Sequence, residues 1–142
     1  MAGKSENMQS MNRQLRPANV AAPAASYSLG VEVPSNSRLV VTSGIVPTRP
    51  DGTTPSSIGD QADLVWSMIT DVLAEGNMAL SDIVSVTTYV VASSRLTEDL
   101  REVMLSRDRA LAGHLAASTL VTVPALARPE WKMEISVIAA RS

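Results

Sequence analysis

The chain has 142 residues and a formal net charge of −2, and its length suits one domain. It contains no cysteine, which excludes disulfides, thiolate nucleophiles, thiolate zinc sites and iron–sulfur clusters. The near-neutral charge gives no electrostatic footprint for nucleic acid, and no apolar run approaches the roughly 18 residues that span a bilayer. We therefore expect a cytoplasmic protein with no metal, no cofactor, and neither nucleic acid nor membrane as a partner.

The single histidine, His114, lies in a Gly-His-Leu loop after a predicted helix. The sequence has no Gly-x-Ser-x-Gly elbow that would present a nucleophilic serine to it. No cluster of His or carboxylate residues has metal-ligand spacing. We interpret His114 as a solvated loop residue near a helix C-terminus, where its cation is mildly favoured, rather than as a catalytic group.

The first half of the chain predicts an arm, two strands and a helix. Residues 1–24 show no hydrophobic period, and we predict that they form a mobile N-terminal arm. Residues 25–33 and 38–43 read as strands, and the turn residues between them predict a hairpin. Val65, Met68, Ile69, Val72 and Leu73 form an apolar stripe, which predicts a helix over residues 59–75.

The second half predicts a strand, a helix and two further strands. Residues 82–91 are dense in β-branched side chains and form the clearest strand. An apolar stripe predicts a helix over residues 97–112, and residues 117–123 and 131–139 read as the last two strands. The predicted order is β-β-α-β-α-β-β, a single α+β domain over residues 25–142.

The predicted sheet has a face that lacks a helical cover. Two helices cannot cover both faces of a sheet of this size, so we expect both to pack on one face. The other face is expected to carry Ile83 or Val84, together with Val86 and Ile138. An apolar face without a cover needs a partner, and this predicts an oligomer whose sheets face inward.

Several segments, in this order, resemble parts of one family. They are residues 27–31 and 41–47 (an opening hairpin), Gln61 to Gly76 (a first helix), Leu80 to Val90 (a strand entry) and Lys132 to Ala139 (a final strand). Together they resemble the Rid/YjgF family, also labelled endoribonuclease L-PSP or translation inhibitor. The resemblance implies a chorismate-mutase-like homotrimer with small-molecule clefts between subunits. It also implies hydrolysis of imines and enamines made from amino acids.

The chain departs from the family at the segment that binds the substrate carboxylate. Family deaminases use an Arg in a Pro-Ala-Arg-Ser segment, and a gapless alignment places Ser118 at that position. A hydroxyl is a neutral single-point partner, whereas Arg is a permanent charge with a bidentate fork. Ile45 and Met104 also replace the Gln and Asn common in the family. The chain therefore resembles a divergent branch, and we expect a poor deaminase of ordinary imino acids.

Two other functions stay open at this point. The first is a non-enzymatic trimer that binds a small metabolite as a sensor or scavenger. The second is an RNA-cleaving translation inhibitor, which ranks last because the sequence has no basic face and lacks the usual pair of histidines.

The candidate catalytic residue is Glu134, which matches the family's water-orienting carboxylate; the alternative is a solvent-facing glutamate. Gly44 would let the backbone approach a ligand closely or would simply serve a turn. The phenol of Tyr27 would reach a cleft or stay half-buried with a wet hydroxyl. The candidate substrate-binding residues are Tyr27, Ser43, Gly44, Ser118, Thr119 and Arg107.

Arg107 interrupts the apolar stripe of the second predicted helix, between Met104 and Leu111. One interpretation is that its stem packs on the protein while the guanidinium reaches water. The other is that Arg107 supplies the cleft cation that Ser118 does not. Arg128, in the loop before the last strand, is a second candidate for that cation.

Overall fold

The structure is a computed structural model, and it describes residues 11–142; the first ten residues of the predicted arm lie outside this range. The described chain folds into one α+β domain with one more strand than the sequence predicted. Its elements are β1 (Arg13–Leu15), β2 (Gly30–Glu32), β3 (Arg38–Val41), α1 (Ile58–Glu75), a 3-10 turn (Leu80–Asp82), β4 (Ile83–Val91), α2 (Leu96–Leu111), β5 (Ala117–Val123) and β6 (Met133–Arg141).

The main sheet has four strands in the order β3-β6-β4-β5, and β1 and β2 form a separate pair. β6 runs antiparallel to both of its neighbours. β4 and β5 are parallel, and a parallel pair needs a crossover connection. Helix α2 lies between them in the chain and provides it.

The predicted hairpin between residues 25–33 and 38–43 is wrong. β2 pairs with β1 instead, with Leu15 opposite Gly30, and β3 pairs with β6, with Val41 opposite Ile138. An alternation of apolar and polar residues identifies a strand, but it does not indicate which other strand pairs with it. The backbone N–H and C=O groups along the free edge of β6 need hydrogen-bond partners, and β3 provides them.

Part of the predicted arm lies against the domain. β1 falls within residues 1–24, and the Asn12 side-chain amide donates to the carbonyl of Ala140 at 3.1 Å. Three residues are too few for a hydrophobic period to appear. The sequence therefore had no signal for this strand.

The helices bury a shared core against the sheet. Val65, Ile69 and Leu73 are buried as predicted, whereas Val72 is 41% exposed and Trp66 is buried instead. The buried surface of α1 extends to Trp66 because the helix packs against both α2 and β6. Neither helix of residues 11–142 is long and apolar enough to cross a membrane.

A buried glutamine ties α1 to the start of β6. The side-chain nitrogen of Gln61 donates to the carbonyls of Pro55 and Glu130 at 2.8 and 2.9 Å, and its oxygen accepts from the Lys132 backbone at 2.9 Å. Gln61 is fully buried, so its polar atoms require these partners. These hydrogen bonds fix the backbone at Lys132, two residues before Glu134.

The helix-free face differs from the prediction in its residues. Val86 lies opposite Val137 within the core cluster under the helices, so its expected place on the helix-free face is wrong. Ile83 and Val84 are also buried. A strand that is apolar on both sides does not reveal which side faces the helices. The exposed apolar residues of the helix-free face include Leu39, Val41, Val121 and Ile138, at 59, 67, 40 and 36%.

Candidate functional site

Three of the candidate residues, Tyr27, Arg107 and Ser118, line one pocket of about 260 Å³. We call it the α2 pocket, and its remaining lining residues are Ala25, Leu100, Met104 and Leu120. Helical spacing of four and three residues places Leu100, Met104 and Arg107 on one face of α2. Ser118 and Leu120 are two apart on β5 and therefore share a side of the sheet.

The segment that carries Tyr27 is held at the entry to β5. The backbone N–H of Ser28 donates to the carbonyl of Ala116 at 2.9 Å, and its hydroxyl donates to the carbonyl of Leu115. Ser28 is buried, so these bonds are shielded from water. They fix the half-buried Tyr27 at the wall of the α2 pocket.

Arg107 does not reach bulk water. Its side chain is only 7% exposed, and its Nε and Nη2 both lie near one oxygen of Asp108, at 3.3 and 3.2 Å. The interpretation in which the guanidinium emerges into solvent is therefore wrong. Sequence reasoning missed Asp108 because adjacent residues on a helix do not normally face each other.

Two other candidates lie outside the α2 pocket. The guanidinium of Arg128 sits 5.5 Å from the centre of the Trp131 ring, and Arg128 does not line the α2 pocket of its own chain. His114 is half-buried, and its Nε2 lies 2.7 Å from the carbonyl of Ile83. This contact ties the loop after α2 to β4 and makes His114 more constrained than the predicted solvated residue.

Glu134 lies against Gly44 on the other side of the sheet. A Cβ atom at Gly44 would fall 2.0 Å from Oε2 of Glu134, so an alanine there would require the carboxylate to move. Thr42 and Ile45 donate to the carbonyls of Val137 and Ile135 at 3.0 and 2.7 Å. Two residues, Ser43 and Gly44, thus face one residue of β6, as in a β-bulge. We call Ser43, Gly44 and Glu134 the Glu134 site.

The carboxylate of Glu134 is half-buried, and within residues 11–142 it makes no hydrogen bond or ion pair. An ionised carboxylate has about four acceptor positions. These positions are therefore available to a water molecule or a ligand. In the described part of the chain, no three His, Asp or Glu side chains come together as a metal site.

The sheet separates the α2 pocket from the Glu134 site. Ser118 is in register with Val86, and Glu134 is in register with Tyr89. Residues 86 and 89 are an odd number apart on one strand, so they point to opposite faces. Thr119, in register with Thr87, shares the face of Glu134. A single chain therefore does not unite the candidate residues in one site.

Solved structures share this fold. YyfB from Yersinia pestis, a Rid-family protein of unknown function, is 25% identical with a TM-score of 0.80, over 90% of this chain and 97% of its own. The yeast protein YEO7 is 28% identical with a TM-score of 0.64, over 93% and 100%. The YjgF product of E. coli is 24% identical with a TM-score of 0.66, over 92% and 99%. No curated protein matches the sequence.

The sequence model described as Endoribonuclease L-PSP matches residues 18–141. This match spans the sheet, both helices, the α2 pocket and the Glu134 site. It agrees with the structural likeness to the Rid-family protein YyfB and to YjgF. The chain therefore belongs to the Rid/YjgF family, described as Endoribonuclease L-PSP.

Proposed function

We propose that the protein is a homotrimer in which the α2 pocket of one subunit and the Glu134 site of the next form a small-molecule cleft. The proposal is supported by the position of the α2 pocket and the Glu134 site on opposite sides of the sheet within one chain. The face that carries Glu134 also exposes Leu39, Val41 and Ile138. Apolar residues clustered on an uncovered sheet face favour burial against another chain.

The proposed activity is hydrolysis of a small imine, enamine or carbonyl-type metabolite. The observation that carries it is the carboxylate of Glu134, which lies against Gly44 and has no hydrogen-bond partner among residues 11–142. Such a carboxylate accepts a proton from a water molecule and orients a lone pair of the water oxygen toward an electrophilic carbon. The α2 pocket of the neighbour would hold that carbon in position.

Ordinary imino acids derived from amino acids are proposed to be poor substrates. Ser118 stands at the alignment position of the family arginine, and it lines the α2 pocket. Its hydroxyl cannot offer a carboxylate two charged hydrogen bonds. A charged hydrogen bond is worth about 1.5–3 kcal/mol, so its absence weakens binding and misplaces the imine carbon relative to the water.

The test compares wild type with Ser118→Arg on imino acids generated by an amino-acid oxidase, with ammonia release as the readout. Wild type is expected to be slow, and Ser118→Arg to raise kcat/KM at least about tenfold, the factor that corresponds to about 1.4 kcal/mol. The change is also made together with Arg107→Gln, because two guanidinium groups in one pocket repel each other.

The matched control is Thr122→Arg, an exposed residue of the same strand that does not line the α2 pocket. It is expected to leave kcat/KM at the wild-type value. Fast wild-type turnover of ordinary imino acids would contradict the role given to Ser118.

A second candidate function is a metabolite-binding trimer without catalysis. The α2 pocket favours it, because four of its seven lining residues are apolar, as in many ligand sites. Saturable ligand binding without turnover, in wild type and in Ser118→Arg, would support this function over hydrolysis.

A further inference from the structure

We propose that a second small-molecule site, in a cavity between β1 and the end of β6, binds an aliphatic α-amino acid as a zwitterion. The cavity has a volume of about 650 Å³, and its walls are the start of β1, the 3-10 turn, the loop after α2 and the end of β6. We call it the β1 cavity. It shares no lining residue with the α2 pocket or the Glu134 site, so the inference goes beyond the proposed function.

The β1 cavity is lined by one acidic and one basic side chain that pair weakly with each other. Nη1 of Arg141 lies 3.8 Å from Oδ2 of Asp82, whereas charged N–H···O bonds are usually about 2.7–2.9 Å long. The same oxygen of Asp82 already accepts a hydrogen bond from the backbone of Ala79 at 2.8 Å. The side chain of Arg141 is 57% exposed and that of Asp82 is 18% exposed. Both charges are therefore available to a ligand that carries the opposite charges.

Two further acceptors line the β1 cavity. Nε2 of His114 lies 2.7 Å from the carbonyl of Ile83. A carbonyl only accepts, so Nε2 carries the proton and Nδ1 of the neutral ring is an acceptor. The side-chain nitrogen of Asn12 donates to the carbonyl of Ala140, while its oxygen is buried and has no partner among residues 11–142. A buried acceptor without a donor costs free energy, and the N–H group of a ligand would remove that cost.

An α-amino acid zwitterion matches these groups. Its ammonium has three N–H donors, which equals the number of acceptors that Asp82, His114 and Asn12 provide. Its carboxylate accepts from the planar fork of Arg141. The two charges of the ligand are attached to one carbon, so they require an acid and a base that lie close together. Asp82 and Arg141 meet this requirement.

The remaining walls of the β1 cavity favour an aliphatic side chain on the ligand. Met11, Ala79 and Ala140 contribute apolar surface, and no aromatic residue lines the cavity. The volume of about 650 Å³ lies within the roughly 300–1,000 Å³ of small-molecule sites. It therefore leaves room for a branched hydrocarbon chain beside the two charged groups.

Calorimetric titration of the intact protein with L-leucine tests the proposal. The comparison probes are 4-methylpentanoate, which lacks the amino group of leucine, and 3-methylbutylamine, which lacks its carboxylate. Wild type is expected to bind leucine at least about tenfold more tightly than either probe, because each probe loses one set of charged hydrogen bonds. Arg141→Gln is expected to weaken leucine binding by a similar factor and to leave 3-methylbutylamine binding unchanged.

Arg38→Gln is the matched control. Arg38 is exposed, lies directly opposite Arg141 on β3 and does not line the β1 cavity. The same loss of charge there is expected to leave leucine binding at the wild-type value.

Equal wild-type affinities for leucine and 4-methylpentanoate, or unchanged leucine binding by Arg141→Gln, would overturn the inference. Leucine binding that responds to Ser118→Arg instead would place the ligand in the α2 pocket and overturn it as well. If Arg141→Gln does not fold, as judged by circular dichroism, the wild-type affinities for the three probes decide the matter alone. The expected binding pattern in a protein without imine hydrolysis would uphold the inference while the proposed activity fails.

Discussion

Ile138→Asp is expected to sediment as a single chain at a concentration where the wild type is expected to sediment as three. Ile138 is 36% exposed and lies opposite Val41 on the helix-free face. In the proposed trimer this face is buried between subunits. A carboxylate without a partner there loses its hydration, which is expensive in an apolar environment. The variant is therefore expected to lose the trimer and to keep the fold of the single chain.

Val72→Asp is the matched control for this change. Val72 is similarly exposed, at 41%, but lies on α1 and not on the helix-free face. The same substitution there is expected to leave three chains together. Analytical ultracentrifugation of the three proteins gives the answer. A wild type that sediments as a monomer at micromolar concentration would remove the basis for the shared cleft.

Glu134→Gln is expected to lower kcat by roughly 10²–10⁴, the usual contribution of a general base, with little change in KM. The amide keeps the size of the side chain but cannot take a proton from water. The measurement is ammonia release in wild type or in Ser118→Arg, whichever is faster. A kcat within threefold of the parent protein would exclude Glu134 from the chemistry.

Gly44→Ala tests the same carboxylate through its position. The added Cβ would lie 2.0 Å from Oε2 of Glu134, so the carboxylate must move, and turnover is expected to fall in the same direction. Gly30→Ala is the control, because its Cβ would make only an ordinary contact with Leu15, at 3.5 Å. Equal activity of both alanine variants would contradict the role given to Gly44.

The residue pattern predicted the elements better than their arrangement. Helix α1 begins one residue before its prediction and ends where expected, because an amphipathic stripe marks both the type and the length of a helix. The partners of β2 and β3 were not predictable, since alternation records burial but not which strand lies alongside. The registers that place Ser118 and Glu134 on opposite faces required the folded sheet.

The positions of the candidate residues could be predicted from the sequence only in part. The structure places Tyr27 and Ser118 at the α2 pocket and Glu134 against Gly44, and their roles stay predictions. An arginine on an apolar stripe is compatible with both exposure and burial. Only the packed helix shows that Arg107 is buried beside Ser118.

Cross-linking between the α2 pocket and the Glu134 site tests most directly the claim that neighbouring subunits build one cleft. The chain has no cysteine, so the double variant Ser43→Cys/Ser118→Cys carries the only two thiols. Treatment with a short bismaleimide is expected to link each subunit to both neighbours and to give a covalent trimer in a denaturing gel. Each single variant is expected to give none. A double variant that stays at the mass of one chain would contradict the account.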